Sequence, residues 1–339
     1  MATVLPSGFD RPFTIPPGLE ASQPPEARGK GRDDVRLLVT GSSGFTTHAR
    51  FGQLGDFLCP GDLLVINTSA TLPAALEARA ADGQRLALHA STQLPGGLVV
   101  VEPRGRAVAA GDVLRLAGDE TSTLLAAYGR SRRLWVAAFS VPLPGLLRRY
   151  GKPISYPYVS GQWPLEAYQN VYADQPGSAE MPSAGRPITR SMLRSLRAKG
   201  LRIAPVLLHA GVASVERDEP PYAEYYEVAA ETAAAVRSTK ARGGRVIAVG
   251  TTVVRALESS ADLEGRIGAA RGWSELVITA QRRLRFVDGL LTGFHEPRST
   301  HVAMLAAVAG IELVNRAYAL ALEGGYLWHE FGDSHLLLG

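Results

Sequence analysis

The sequence predicts an α/β domain that is interrupted by an inserted antiparallel β-barrel domain. One observation is a strand that turns directly into a helix: Val246–Val249 is apolar and β-branched, Gly250 ends it, and helical spacing of apolar residues follows. The other is a change of pattern in the first half of the chain, where short strand-like runs lie between Gly and Pro turns. Together they predict an α/β domain at 1–73 and 151–339 and a barrel domain at 74–150.

The inserted domain is predicted from strand-like runs with turn signals between them. Dipeptides such as Asp82-Gly83 and Gly111-Asp112 mark the turns. Runs of this length and spacing are typical of a small antiparallel barrel or a sandwich. The runs are Arg85–Ala90, Gly97–Glu102, Val113–Leu116, Thr121–Tyr128 and Leu134–Phe139.

Outside the insert, strands alternate with helices, which is the pattern of an α/β domain. Leu201–Leu208 and Arg285–Leu291 are predicted strands, and the Ala-rich segment Val228–Arg242 is a predicted helix. We expect Thr251 or Thr252 to cap the helix after Val249, and Ser299 or Thr300 to cap a helix from His301 to Ala309. Gly151–Leu165 is a predicted linker or lid that carries Tyr156, Tyr158 and Trp163.

Polar turns follow three of the predicted strands, and a fourth turn precedes a predicted helix that ends at Gly200. In an α/β sheet the carboxyl ends of parallel strands meet at one edge, where ligands bind. A helix N-terminus at that edge also presents unpaired N–H groups. The sequence therefore predicts one pocket, formed by the turns Pro182–Gly185, His209–Gly211, Gly250–Thr252 and Thr292–Thr300.

Composition is that of an ordinary globular protein. The 339 residues allow one large or two ordinary domains, and 46% of them are hydrophobic. The single cysteine, Cys59, excludes an intramolecular disulfide and a Cys-rich metal site. Met1–Pro17 lacks the apolar run of a signal peptide, and no stretch approaches the roughly 20 apolar residues of a membrane span. We expect a cytoplasmic protein without membrane association, and a monomer is favoured.

The positive charge permits a nucleic-acid partner without establishing one. A net charge of +4 and a pI near 9.3 suit a partner that carries phosphates, such as tRNA. Basic clusters are more often solvated faces, however, and no familiar RNA-binding module accompanies them. The clusters are Arg130–Arg133, Arg148-Arg149, Arg186–Arg202 and Arg282–Arg285.

Motifs of several other chemistries are missing from the sequence. There is no dinucleotide-binding G-x-G-x-x-G, no P-loop, no H-E-x-x-H and no G-x-S-x-G elbow. The seven histidines are dispersed, so no metal is expected. His329-Glu330 near the C-terminus is interpreted as the end of the fold rather than as a pair of ligands.

Motif-like segments occur in a fixed order over nearly the whole chain. They are Pro60–Asn67, Leu72–Ala74, Tyr168–Ala173, Pro176–Gly185, Leu208–Gly211, Glu224–Val228, Arg245–Glu258, Phe286–Thr300, Ala317-Tyr318 and Gly332-Asp333. These segments resemble the S-adenosylmethionine:tRNA ribosyltransferase-isomerases of queuosine biosynthesis, and the sequence is identified as a divergent member of that family. The resemblance implies the same fold, with a β-barrel inserted in an α/β domain.

The sequence departs from the family at several charged or titratable positions. Where the family reads N-D-T-R-V-I-P-A-R-L, Thr68, Ala70 and Ala75 replace an acid and two arginines. The histidine of the family motif A-G-L-H-F is Pro187, and T-N-F-H-L-P reads T-G-F-H-E-P, which introduces Glu296. These changes favour retention of the scaffold over retention of the usual substrate.

The resemblance implies a reaction in which S-adenosylmethionine donates its ribosyl group. A base removes a proton from the ribose C5′, adenine leaves, and the aminomethyl group of a 7-aminomethyl-7-deazaguanine in tRNA attacks the sugar. Methionine departs as an epoxide closes, which gives epoxyqueuosine. S-adenosylmethionine is a co-substrate, and no cofactor is expected because the sulfonium is the electron sink.

Site residues are nominated from the turns and the matching motifs. His209 and His295 are the candidate bases, with a structural role equally open for each. Ser183, Ala184, Gly185, Thr251, Thr252, Arg255 and Glu258 are candidates for binding the donor, and Arg255 and Glu258 alternatively brace the pocket. The candidates for binding the acceptor are Asn67, Tyr168, Gln169, Tyr172, Phe294, Ser299, Thr300 and Asp333.

Three functions remain open at this point. The first is the tRNA ribosyltransferase-isomerase reaction, which follows from the ordered motifs. The second is a paralogue that uses S-adenosylmethionine on a small-molecule acceptor, which follows from the missing charged residues. The third is a binding protein without catalysis that uses an inherited pocket.

Overall fold

A mixed sheet of nine strands and a closed barrel of six strands form the body of the molecule. The computed structural model describes residues 13–129, 131–212, 222–296 and 299–339. The strands are β1 (Arg36–Gly41), β2 (Thr46–Arg50), β3 (Leu63–Asn67), β4 (Ser69–Thr71), β5 (Ala75–Arg79), β6 (Arg85–Gln93), β7 (Val99–Arg104), β8 (Val113–Arg115), β9 (Thr121–Ala127), β10 (Trp135–Phe139), β11 (Gln175–Ser178), β12 (Arg202–Leu208), β13 (Glu224–Val228), β14 (Val246–Val249), β15 (Ala270–Ser274), β16 (Gly289–Gly293) and β17 (Ser334–Leu338).

Helices cover both faces of the large sheet and one side of the barrel. The α-helices are α1 (Leu143–Tyr150), α2 (Arg190–Ala198), α3 (Ala230–Ala241), α4 (Thr251–Ser259), α5 (Thr300–Ala309) and α6 (Ile311–Glu323). Among the described residues, no single helix is long and apolar enough to cross a membrane. The pair α5 and α6 passes that test together but is bent by 117° at its break.

The large sheet has four parallel strands at its centre. Its order is β15-β13-β12-β3-β14-β16-β17-β1-β2. Strands β12, β3, β14 and β16 run in the same direction, so their carboxyl ends meet at one edge. The central strands are buried on both sides, and they are accordingly apolar throughout, as in Leu63–Ile66 and Val246–Val249.

Two apolar layers hold the sheet between its helices. On one side, residues such as Val65 and Ala248 pack against helices α3, α4, α5 and α6. On the other side, Leu64 and Ile247 pack against α2 and a short 3₁₀ helix at Phe51–Phe57. Alternate residues of each strand thus enter opposite layers, which fixes the register of the sheet.

The barrel has its own core and follows β4 directly. Its strands close in the order β10-β7-β6-β5-β8-β9, and neighbouring strands are antiparallel. Its core includes Leu88, Val101 and Leu124, and helix α1 contributes Leu146 and Leu147. The fold class predicted from the sequence is confirmed, and the closed sheet is a barrel rather than a sandwich. The domain limits at 73/74 and 150/151 stay a prediction.

Some predicted element boundaries were wrong. Strand β16 begins at Gly289 rather than Arg285, because the amides of Arg285 and Phe286 donate to the side chain of Glu258 instead of a neighbouring strand. Helix α4 is preceded by Gly250 at the N-cap, so neither Thr251 nor Thr252 caps it. Gly250 has a φ of 91°, which favours glycine.

Candidate functional site

A cleft of about 710 Å³ opens at the carboxyl edge of the four parallel strands. Each of three strands contributes the turn that follows it: Ala210-Gly211 after β12, Gly250–Thr252 after β14 and Phe294–Glu296 after β16. The barrel contributes Ser91 and Thr92 to the lining, and the Ser91 hydroxyl accepts the N–H of Val212, next to the turn after β12, at 2.9 Å. The predicted meeting of these polar turns is therefore present in the structure, and the cleft lies between the sheet and the barrel.

The turn between β14 and α4 supplies backbone donors. The N–H of Gly250 donates to the carbonyl of Leu291 at 2.8 Å, which ties the turn to β16. The next two residues, Thr251 and Thr252, begin α4 and line the cleft. Their N–H groups lie in the first turn, where a helix leaves its amides without intrahelical acceptors. This end of the cleft therefore suits a negatively charged group such as a carboxylate.

Arg255 braces the cleft from helix α4. Its guanidinium bonds to the carboxylate of Glu224, donates to the carbonyl of Ser274 at 2.8 Å, and also reaches the carbonyl of Tyr222 at 3.3 Å. Glu224 in turn accepts the N–H of Gly211 at 2.8 Å. The ion pair thus connects α4 to the turn after β12, so the bracing role considered for Arg255 is the one that this geometry supports.

Glu258 does not share the surroundings of Arg255, although the two lie one helical turn apart. It is buried, and its Oε1 accepts the backbone N–H groups of Arg285 and Phe286, both at 2.9 Å. Burial raises the pKa of this carboxyl above its ordinary value. Glu258 lies outside the residues that line the cleft, so donor binding by its side chain is not supported.

His295 is the candidate base that the structure places in the cleft. Its Nε2 lies 2.8 Å from the Thr292 hydroxyl, and its ring lies 4.4 Å from that of His301. Burial, followed by the neighbouring histidines, lowers the pKa of His295 well below its usual value. The imidazole is therefore neutral near pH 7 and carries a lone pair, although the same shift makes it a weaker base than an exposed histidine.

His301 is a cleft residue that sequence reasoning counted only as part of a helix. Burial and the charge of Arg255 lower its pKa to about 4, so it is also neutral. It lines the cleft beside His295. The sequence offered one signal for this role: His301 is the second residue of helix α5, which begins at one of the predicted site turns.

His209 does not line the cleft. Its Nδ1 lies 2.8 Å from the hydroxyl of Ser69, which is 2.6 Å from the hydroxyl of Ser178. Gly177 lies against the imidazole so closely that a Cβ at that position would be 2.3 Å from the ring. This hydrogen-bonded and tightly packed position gives His209 a structural role, and its nomination as a base is not supported.

Other nominated residues divide between the cleft and the scaffold. Ser183, Ala184, Tyr168, Phe294 and Ser299 line the cleft. The side chain of Thr300 lies outside the described part of the structure. The nominated residues that do not line the cleft, in addition to His209 and Glu258, are Asn67, Gln169, Tyr172, Gly185 and Asp333.

Each scaffold residue has internal partners that explain its position. Asn67 bonds to the backbone of Leu208 through both its amide N and O, and Gln169 pairs with the backbone of Thr71. Asp333 accepts the backbone N–H and the guanidinium of Arg36. These groups support the cleft from behind, so direct acceptor binding by them is not supported.

Tyr172 and Gly185 are in contact with each other. Tyr172 is partly buried, and its hydroxyl occupies the space that a side chain at position 185 would need. A side chain at position 185 would therefore displace the Tyr172 hydroxyl, and this close approach favours glycine in the turn that leads to α2.

Comparisons with known proteins decide the family. A sequence profile described as "Queuosine biosynthesis protein" matches residues 8–337. The S-adenosylmethionine:tRNA ribosyltransferase-isomerase of Moorella thermoacetica is 36% identical over 340 residues, which cover 96% of this chain and 98% of that protein. The chain belongs to the queuosine biosynthesis protein family.

Two further members of this family agree with that assignment. The S-adenosylmethionine:tRNA ribosyltransferase-isomerase of Rubrobacter xylanophilus is 39% identical over 337 residues and covers 96% of each chain. A crystal structure of S-adenosylmethionine tRNA ribosyltransferase from Thermotoga maritima has a TM-score of 0.56 and 31% identity, and it covers 96% of this chain and 99% of that one. The family resemblance derived from the sequence is confirmed.

The lining of the cleft differs in charge from the chain as a whole. Although the chain carries a net charge of +4, the described lining has four carboxylates, Glu180, Glu224, Glu296 and Glu330, and the single guanidinium of Arg255. Sequence reasoning nominated none of these four acids as site residues, because they lie on separate segments. His329 and Glu330, which sequence reasoning interpreted as the end of the fold, also line the cleft.

Proposed function

We propose that the protein transfers and isomerises the ribosyl group of S-adenosylmethionine onto a 7-aminomethyl-7-deazaguanine in tRNA. The product is epoxyqueuosine, and adenine and methionine are released. The observation that carries this proposal is the cleft at the carboxyl edge of the sheet in a chain that matches the family over residues 8–337. A tRNA substrate also favours the cytoplasm as the site of action.

The cleft offers suitable groups for the donor. The N–H groups at the start of α4 suit the carboxylate of the methionine part, with Ser183 and the hydroxyls of Thr251 and Thr252 as further hydrogen-bonding groups. The sulfonium of the donor supplies the electron sink, so the proposal includes no cofactor and no resident metal. Exclusion of water follows from closure of the cleft between the sheet and the barrel.

His295 is the proposed base for the ribose C5′ proton. In the tautomer whose Nε2–H donates to the Thr292 hydroxyl, Nδ1 carries the free lone pair. The neutral state that burial favours keeps this lone pair available near pH 7. Positioned general bases of this kind contribute about 10²- to 10⁴-fold in rate.

The test combines the protein with S-adenosylmethionine and tRNA that carries 7-aminomethyl-7-deazaguanine. Mass spectrometry should show adenine, methionine and, after digestion of the tRNA, epoxyqueuosine. A parallel reaction uses tRNA with guanine at the same position and should release no adenine. Absence of adenine in the first reaction would contradict the proposal.

A second candidate is ribosyl transfer to a small cationic acceptor. It is favoured by the four carboxylates of the cleft together with Thr68, Ala70 and Ala75, which replace charged residues of the family pattern. Adenine release with an RNA-free metabolite extract, and none with tRNA, would support this candidate over the first.

A further inference from the structure

Three stacked rings form one wall of the cleft. The rings of Tyr156 and Tyr158 lie 5.7 Å apart at an interplanar angle of 14°, and the imidazole of His329 lies 4.1 Å from Tyr158 at 13°. All three side chains line the cleft. Their parallel arrangement aligns the polar ends of the rings along the wall.

Each ring has a carboxylate at its polar end. The hydroxyl of Tyr156 donates to Glu180, and the hydroxyl of Tyr158 donates to Glu330 at 2.8 Å. The Nε2 of His329 lies 3.8 Å from Glu296 and 3.4 Å from Glu20. We name this set the acidic wall: Tyr156, Tyr158 and His329 with Glu180, Glu330 and Glu296.

The backbone holds His329 in this position at a conformational cost. His329 has a φ of 70°, a left-handed value that costs a non-glycine residue about 1 kcal/mol or more. Hydrogen bonds fix the backbone on both sides, because the His329 N–H lies 3.4 Å from the carbonyl of Phe294 and the His329 carbonyl accepts the N–H of Gly332 at 3.0 Å. Such retained strain is typical of a functional position.

In the part of the chain that the structure describes, two arginines near the acidic wall are paired with glutamates outside it. Arg104 stacks over Tyr156 and bonds to Glu102, while Arg186 bonds to Glu26. Burial lowers the pKa of His329, so its ring is mainly neutral near pH 7. The wall therefore presents carboxylates and ring faces, and both attract a cation.

We propose that the acidic wall binds the protonated amine of the ribosyl acceptor, and that Glu330 accepts its proton. The proposal rests on the proposed function and deepens it, because it assigns the residues that select an amine. An ammonium has no lone pair and cannot attack. Loss of one proton breaks one N–H bond and gives a neutral amine and a neutral carboxyl at Glu330. The freed lone pair then forms the bond to the ribosyl carbon, while the electron pair of the bond that this carbon gives up moves to its leaving group. The nitrogen becomes a secondary ammonium that keeps its two remaining protons.

Glu330 is suited to this exchange by its surroundings. Burial raises the pKa of Glu330 above its ordinary value, although the Tyr158 hydroxyl and Arg186 act in the opposite direction. Burial and Glu20 likewise raise the pKa of Glu296. A carboxyl with a raised pKa is a better proton acceptor than an exposed one, and a bound ammonium relieves the cost of its buried charge.

The kinetic test uses Glu330→Gln, which keeps the shape of the side chain and an acceptor for the Tyr158 hydroxyl. We expect adenine release with the amine-bearing tRNA to fall about 100-fold or more in kcat, while KM for S-adenosylmethionine changes by less than about threefold. The control is Glu227→Gln on β13, which is exposed and lies outside the cleft. An unchanged kcat, or an equal loss in the control, would overturn the role of Glu330.

A binding test measures the preference of the acidic wall for an amine without any catalytic turnover. Calorimetry compares free 7-aminomethyl-7-deazaguanine with 7-methyl-7-deazaguanine, which lacks the amine. The native protein should prefer the amine by about tenfold or more, and Glu330→Gln combined with Glu296→Gln should abolish the preference. Equal affinity for the two bases, or no binding of either, would overturn the inference.

The two tests separate the inference from the proposed function. If no tRNA releases adenine but the native protein prefers the amine-bearing base, the proposed function fails and the amine subsite stands. If adenine is released but the protein binds the two bases with equal affinity, the proposed function stands and the amine subsite is refuted. Should Glu330→Gln not fold, Glu296→Gln alone gives the binding readout, because the side chain of Glu296 is 58% exposed and its replacement is not expected to disturb the core.

Discussion

Two glutamates, one in the barrel and one in the cleft, show how partners decide the role of a carboxylate. Glu102 in β7 is bonded by Arg133 at 2.6 Å and by Arg104 at 2.7 Å, and its pKa falls to about 2. Among the described residues, the side-chain donor to Glu330 is the neutral hydroxyl of Tyr158, and burial raises the pKa of Glu330 against the smaller effect of Arg186. The barrel glutamate is thus held as an anion near pH 7, whereas the cleft glutamate is the one that we propose to exchange a proton.

We expect removal of the Glu102 carboxylate to lower the free energy of unfolding more than removal of the exposed carboxylate of Glu77. Glu102→Ala leaves two arginines partly buried without their anion, a change that costs about 3–5 kcal/mol. Urea unfolding measures the loss. The matched control is Glu77→Ala in β5, whose exposed ion pair with Lys152 should contribute about 1 kcal/mol or less. Equal losses in the two variants would contradict a structural role for Glu102.

The same ion cluster predicts a loss of stability in acid. Because the folded pKa of Glu102 is lowered from 4.5 to about 2, its contribution is complete above the unfolded pKa and disappears as the pH falls toward 2. The shift corresponds to about 3 kcal/mol. The measurement is the free energy of unfolding of the native protein minus that of Glu102→Gln, which should shrink between pH 6 and pH 2. A difference that is independent of pH would contradict this account.

A smaller effect is expected at the hydroxyl that orients His295. Thr292→Val removes the partner of Nε2 while preserving side-chain shape, so adenine release should fall by about tenfold or less, the value of one hydrogen bond. Thr47→Val, at an exposed position of β2, is the control and should leave the rate unchanged. If Thr292→Val has native kinetics, His295 does not depend on this bond.

Local sequence patterns predicted the scaffold because the apolar periodicity of each element is a local property. The run Val246–Val249, the stop at Gly250 and the helix that follows are all present as expected. The prediction that Thr251 or Thr252 caps helix α4 was wrong. Gly250, at a φ of 91°, ends the strand and occupies the N-cap without a side-chain acceptor. Local pattern therefore predicts which elements exist more reliably than how their ends are bonded.

The site was predicted less completely, because its charges come from segments distant in sequence. Helical spacing suggested that Arg255 and Glu258 share one face, yet each found its partners on a different strand or loop. Glu180 and Glu330 become neighbours only through the stacked rings of Tyr156 and Tyr158. No local period encodes such an arrangement.

The most direct measurement of the contrast is a paired comparison of Glu330→Gln and Glu102→Gln. Thermal midpoint and the rate of adenine release are determined for both variants in one buffer with the same tRNA. We expect Glu330→Gln to release adenine more slowly at an unchanged thermal midpoint. We expect Glu102→Gln to unfold at a lower temperature, with an unchanged rate of adenine release per folded molecule. Loss of both properties in both variants would contradict the separation of structural and functional carboxylates.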